Sequence, residues 1–159
     1  MEGIGSKPMK DSIDRFVEEL QEKIMEDMRR KYSQVAIDHW IHPKNFKRID
    51  SPDGYAKIKG PCGDTMEIFL KVKDGKITDC SFLTDGCGGS IMCGSMTVEL
   101  TEGKKIEEVK EITQKTILDS LGGLPEDYHH CALLAANTLK EALKSIKTNP
   151  YKDSLKGCQ

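Results

Sequence analysis

The chain has 159 residues, the size of one ordinary domain and enough to bury a core without a metal or disulfides. Its 24 Lys+Arg against 26 Asp+Glu leave a net charge of −2, which offers nothing for a nucleic acid or an acidic membrane surface to grip. Met1 to Lys10 lacks the apolar region of an export signal and no run approaches the ~20 apolar residues of a spanning helix. The six cysteines are therefore expected in a reducing, cytoplasmic compartment, as free thiols, metal ligands or redox groups.

The first predicted element is an amphipathic helix over 10–31. Ile13, Phe16, Val17, Leu20, Ile24 and Met28 recur with helical period, while Glu18, Glu19, Glu22, Lys23 and Glu26 cover the other side. That stripe is read most simply as core or a subunit contact, with a partner-docking helix as the sharper idea. A short helix follows from about Ser33, its expected N-cap, to Ile41, and stops before Pro43. His39 and His42 read as surface or capping groups. Residues 42–54 are rich in turn formers.

The period then changes to two. Met66, Ile68, Leu70 and Val72 alternate with Glu67, Phe69, Lys71 and Lys73, and Asp74-Gly75 is a type I′ hairpin signal. The return strand covers about 76–84, with Cys80 and Phe82 on one face and Cys80 expected in the core. Tyr55 to Lys59 adds a third strand. Past the glycines at 86–89 the pattern is helical from about Ser90 to Thr101, with Cys93 expected in the core and Gly103 as the stop. Two short helices are expected near 105–110 and 113–121, the second broken by Gly122-Gly123, and a last helix over about 130–147. The tail 148–159, with Cys158 as a bystander, is expected to fray. The fold class is α+β: a small antiparallel sheet of about three strands with helices packed on it, plus the N-terminal amphipathic helix.

Three cysteines have chemically suggestive neighbours. Cys62-Gly63-Asp64 puts a thiolate and a carboxylate two positions apart at a strand entrance, with Gly63 free to aim both at one point. A sulfur ligand beside an oxygen ligand is unlike the four Cys or His ligands of structural zinc, and a carboxylate is the more exchangeable partner for iron. Cys87, in Gly86-Cys87-Gly88-Gly89, precedes a helix whose N-terminal amides favour anions, whether a thiolate or a negatively charged cluster. His130-Cys131 sets an imidazole next to a thiol near the start of the last helix, which begins either at Pro125-Glu126-Asp127 or nearer His130. The set suits a metal held loosely at an accessible surface. The spacings between the three cysteines are far longer than those of zinc ribbons or ferredoxins, so spacing alone does not establish a shared site.

The motifs Cys62-Gly63-Asp64, Gly86-Cys87-Gly88 and His130-Cys131, in this strand–helix order, resemble the IscU/NifU-type iron–sulfur cluster assembly scaffold. Tyr32-Ser33, Asp38-His39, Pro43-Lys44-Asn45 and Gly103-Lys104 followed by Glu107-Glu108 extend the resemblance, which runs from about Tyr32 to Ile146. It divides the chain into an N-terminal extension 1–31, a scaffold domain 32–147 and a tail 148–159. It implies a scaffold, not an enzyme, that takes iron and persulfide sulfur, builds a transient [2Fe–2S] cluster and passes it on. By resemblance Cys62, Cys87 and Cys131 are cluster ligands and sulfur acceptors, Asp64 and His130 are alternative fourth ligands, and zinc can occupy the same site. The implied partners are a cysteine desulfurase, a ferredoxin-type electron donor and recipient apo-proteins, with a homo-oligomer compatible and neither nucleic acid nor membrane involved.

The chain also departs from that pattern. Members served by a dedicated chaperone carry Leu-Pro-Pro-Val-Lys before the His-Cys pair, where this chain has Leu124-Pro125-Glu126-Asp127-Tyr128. The SufU branch has a long insertion between the second and third cysteines and lacks the His, so His130 and the short connection favour the IscU/NifU side. His129 is expected to face solvent, because the family pattern uses only the residue touching the Cys. The rival readings are a sulfurtransferase or zinc-bound persulfide acceptor with Cys87 or Cys131 as sole nucleophile, and a structural zinc protein that unfolds without its metal.

Overall fold

The computed structural model describes residues 7–146, with side chains from residue 11 onward. Its elements are α1 (Lys7–Lys31), α2 (Gln34–Ile41), β1 (Gly54–Lys59), β2 (Thr65–Lys73), β3 (Lys76–Thr84), α3 (Gly88–Thr101), α4 (Ile106–Val109), α5 (Gln114–Ser120), a 3-10 turn (Glu126–Tyr128) and α6 (His129–Ser145). The strands form one antiparallel sheet in the order β1-β2-β3. The expected three-stranded α+β architecture is what the chain adopts. The expected tail 148–159, Cys158 and the last residue of the expected final helix lie outside the described residues.

The hairpin forms where the alternation and the turn agree. Asp74 and Gly75 both have positive φ, +53° and +75°, as a type I′ turn requires. Met66, Ile68 and Leu70 of β2 and Cys80 and Phe82 of β3 are fully buried on one face. Helix α6 covers that face over β1 and β2, and α3 covers it over β3. The opposite face is not bare: Phe69 is buried too. Tyr55 tilts against it with ring centroids 5.1 Å apart, and Arg48, Ile49, Asp50 and Pro52 line a cleft over the pair.

Helix α3 is buried nearly all round, and two of its buried threonines are satisfied within the helix. The hydroxyls of Thr97 and Thr101 donate to the carbonyls of Cys93 and Thr97, each at 2.7 Å, which satisfies buried hydroxyls within the helix. Gly94 lies against the ring of Phe82, where a Cβ would collide. Cys80 and Cys93 are core residues as expected, and burial raises both thiols far above their ordinary range.

Two expectations are corrected. His39 is not a surface residue. It is buried, with Nδ1 2.6 Å from Ser95 Oγ and Nε2 2.8 Å from Glu99 Oε2. The backbone N–H of Lys44 donates to the same Ser95 hydroxyl at 2.8 Å, and Lys44 Nζ reaches Glu99 Oε1 at 2.7 Å. This buried polar group fastens α2 to α3; His42 does cap α2 as expected. Second, the α1 stripe is not core. Ile13, Phe16, Val17, Leu20 and Ile24 are all exposed, Phe16 to 64%, because nothing among the described residues folds back over that face.

Candidate metal centre

Three loops converge at the end of the sheet. The β1–β2 connection is closed by Gly60 N–H donating to Asp64 O at 2.7 Å and Gly63 N–H to Gly60 O at 3.0 Å. Gly63 has φ +87°, a conformation that favours glycine. The turn leaves Cys62 exposed at its tip and brings Asp64 into a half-buried position. The loop after β3 is fastened alongside: Thr65 N–H donates to Asp85 Oδ1 at 2.7 Å, and Gly86 N–H to Thr84 Oγ1 at 3.1 Å. Cys87 follows as the exposed N-cap of α3, so its position before a helix is as expected, although the helix starts at Gly88 rather than near Ser90.

From the other side, the 3-10 turn leads directly into α6, which begins at His129. Cys131, expected at an accessible site, is instead fully buried, because it occupies the first turn of a helix whose apolar side faces the sheet. His130 remains half-buried beside it, with Nε2 3.5 Å from Cys131 Sγ. His129 does not simply face solvent: its Nε2 sits 2.9 Å from the Leu124 carbonyl.

One ligand atom each from Asp64, His130 and Cys131 lies within 4.8 Å of the others. Metal–ligand bonds of about 2.0–2.3 Å in a tetrahedral site place the donors of one ion roughly 3.3–3.8 Å apart, so a carboxylate oxygen, an imidazole nitrogen and a sulfur from sequence-distant elements lie close enough to draw in around one cation. Cys62 and Cys87 are not part of that tight trio. Cys87 is nonetheless close enough to act on Cys131. Burial pushes the Cys131 thiol up to about 11, the Ser90 hydroxyl opposes the rise, and Cys87 and Asp64 add to it.

The surroundings include residues that the motifs did not single out. Ser90, fully buried in the first turn of α3, stands 3.2 Å from Asp64 Oδ2 and 3.6 Å from Cys131 Sγ. Tyr32 packs against Trp40 and Tyr128, with centroids 5.9 and 6.1 Å away, and these rings flank the Cys87 loop. Burial, with a bond to Tyr128 and the nearby charges of Tyr128 and Cys87, raises the Tyr32 phenol to about 12. Helical spacing from Cys87 places Ser90 on the first turn of α3, a signal present in the sequence. The aromatic residues carry no local signal of this kind.

Residues 31–153 match the family of the NifU-like N terminal domain. The chain belongs to this family. It is 42% identical over 113 residues to the iron-sulfur cluster assembly scaffold protein IscU 1 of Archaeoglobus fulgidus, covering 70% of this chain and 74% of that one. With the IscU scaffold protein of Aquifex aeolicus it shares 36% over 120 residues, 74% of this chain and 76% of that one. A solved NifU-like protein (N-terminal) from Brucella abortus superposes with a TM-score of 0.57 at 18% identity, over 73% of this chain and 94% of that one. That likeness speaks for the fold.

Proposed function

We propose that this member of the NifU-like family is a scaffold for iron–sulfur cluster assembly, not a turnover enzyme. It receives iron and sulfur, holds a transient [2Fe–2S] cluster, and releases it to apo-proteins. The observation that carries the reading is the meeting of Asp64, His130 and Cys131 ligand atoms within 4.8 Å, in a chain similar to proteins named as such scaffolds.

In this reading Cys62, Cys87 and Cys131 are the thiolate ligands and sulfur acceptors. Asp64 and His130 supply the weaker fourth position. Two exposed thiols and a buried one suit the task. Cys62 and Cys87 are open to an incoming persulfide, while Cys131 anchors the cargo from a rigid helix. Persulfide sulfur must gain two electrons to become sulfide, so the cysteine desulfurase that delivers it is accompanied by a ferredoxin-type electron donor. A carboxylate or imidazole in the fourth position exchanges more readily than a fourth thiolate, which favours release. Zinc suits the same mixed donors and can occupy the site in place of iron. No helix among the described residues is long and apolar enough to cross a membrane.

The test is transfer. The protein is loaded anaerobically with a cysteine desulfurase, cysteine, iron(II) and a reductant, then mixed with an apo-ferredoxin. The reading expects a [2Fe–2S] spectrum that builds on the scaffold and moves to the ferredoxin, and slower transfer from Asp64→Cys. Persulfide formation without any cluster would favour the sulfur-acceptor rival.

A further inference from the structure

Ser90 is fully buried, and among the described residues its hydroxyl has two hydrogen-bond partners, both in the candidate centre. Its Oγ lies 3.2 Å from Asp64 Oδ2, on the β1–β2 turn, and 3.6 Å from Cys131 Sγ, on α6. A hydroxyl has one proton to give, and a carboxylate oxygen is a stronger acceptor than a thiol sulfur. The proton therefore goes to Asp64, while Cys131 has His130 Nε2 at 3.5 Å as a second partner.

The backbone beside this contact leaves no spare room. A Cβ on Gly86 would stand 2.5 Å from Ser90 Oγ and 2.8 Å from Asp64 Oδ2. The glycine before Cys87 thus allows serine and carboxylate to meet. Asp64 sits at the mouth of a turn, where an unsupported carboxylate samples several rotamers. Ser90 stands on the first turn of a buried helix and cannot follow it.

We propose that Ser90 is a positioning residue of the metal centre: it holds one oxygen of Asp64 so that the other is presented as a single-atom ligand to a thiophilic divalent cation. The inference rests on the reading of Asp64 as a ligand. Ser90 touches no metal in this arrangement and acts through the carboxylate. When a cation draws Cys131 in as a thiolate, the same hydroxyl lies within reach of that sulfur, and hydrogen bonds to ligand sulfurs tune such centres. Ser90 thus stands between the exchangeable oxygen ligand and the buried sulfur ligand, with one hydroxyl in reach of both.

A double-mutant cycle between Ser90→Ala and Asp64→Ala on the full chain tests this. Ser90→Ala only removes an oxygen and keeps helix propensity, so folding is retained. Zinc(II) affinity is measured by competition with a chromophoric chelator, and cobalt(II) bands report ligand geometry. The expectation is that Ser90→Ala weakens zinc by about 10-fold and alters the cobalt bands, as loss of an outer hydrogen bond to a ligand does. The same change in the Asp64→Ala background should then cost less than about 3-fold. Equal losses in both backgrounds, or none in either, would overturn the proposal.

The metal-free proteins give a second, independent arm. Ser90→Ala should lower the urea midpoint when Asp64 is present and leave it unchanged in Asp64→Ala. Identical midpoint shifts in both backgrounds, or no shift, would again overturn it. If the wild-type chain takes up no zinc or cobalt while this arm shows coupling, the metal-centre reading fails and the Ser90–Asp64 link stands.

Discussion

Trp40 lies against the backbone of Gly88, so close that a Cβ there would stand 2.6 Å from Trp40 Cε2. Gly88 is the first residue of α3 after Cys87, so the α2 indole fixes the backbone from which the exposed thiol projects. The next glycine is equally constrained: a Cβ on Gly89 would stand 2.6 Å from Tyr128 Cδ1 and 3.2 Å from Cys131 Sγ. These two glycines let aromatic side chains from both ends of the domain close on the Cys87 loop.

Gly88→Ala should therefore displace Trp40. The chain has one tryptophan, so its fluorescence reports the change without ambiguity. Overpacking of this kind costs about 1–3 kcal/mol. The expected result is a shifted emission maximum, a lower urea midpoint and a reduced yield of reconstituted cluster. Unchanged emission and midpoint would show that the contact is not tight.

The thiols should react in the order of their exposure. Cys62 and Cys87 are exposed, whereas Cys131, Cys80 and Cys93 are buried, and burial also holds the Cys131 thiol up to about 11. The thiolate is the reactive form. Brief alkylation of the metal-free protein at neutral pH, read by peptide mass spectrometry, should label Cys62 and Cys87 first. Cys131 should follow slowly, and Cys80 and Cys93 should react only on unfolding. Early labelling of Cys131 would contradict its placement.

The α2–α3 fastening predicts a pH dependence. The Lys44 hydrogen bond, with the charges of His39 and Lys44, holds the Glu99 carboxyl below its usual value of 4.5 against the opposing effect of burial. A lowered folded-state value means that the ionised form stabilises the fold above the unfolded value. That contribution disappears as pH falls from about 4.5 through the folded value. Urea midpoints of wild type and Glu99→Gln should differ at pH 6 and converge as the pH falls from about 4.5 through the folded value. A difference that does not change with pH would contradict this. His39→Ala should cost about 1–3 kcal/mol at pH 6, since it strips a buried partner from Ser95.

Helix α1 carries its apolar residues outward, so the domain should not depend on it for stability. Deleting residues 1–27 should change the unfolding free energy by less than about 1 kcal/mol. A large loss would mean that its stripe is buried in solution.

The hairpin, the sheet order and the helix order were legible because each rests on local signals: a period of two, a turn with positive φ at Asp74 and Gly75, and a glycine at φ +82° ending α3 at Gly103. The start of α3 was read two residues late because Gly88 and Gly89 are poor helix formers. They are placed there by Trp40 and Tyr128, far away in sequence. His39 was misread for the same reason: its partners Ser95 and Glu99 lie on another helix. At the candidate centre the motifs identified Asp64, His130 and Cys131, which the fold gathers. The depth of Cys131 and the bridging role of Ser90 depend on how α3, α6 and the β1–β2 turn pack, and no local pattern encodes that.

The most direct test of the account is anaerobic reconstitution with iron and sulfide of the wild type and of Cys62→Ala, Cys87→Ala and Cys131→Ala, read by absorption and circular dichroism. The account predicts a [2Fe–2S] spectrum for wild type that weakens or disappears in each variant. A normal spectrum in all three would contradict a cluster held jointly by these sulfurs.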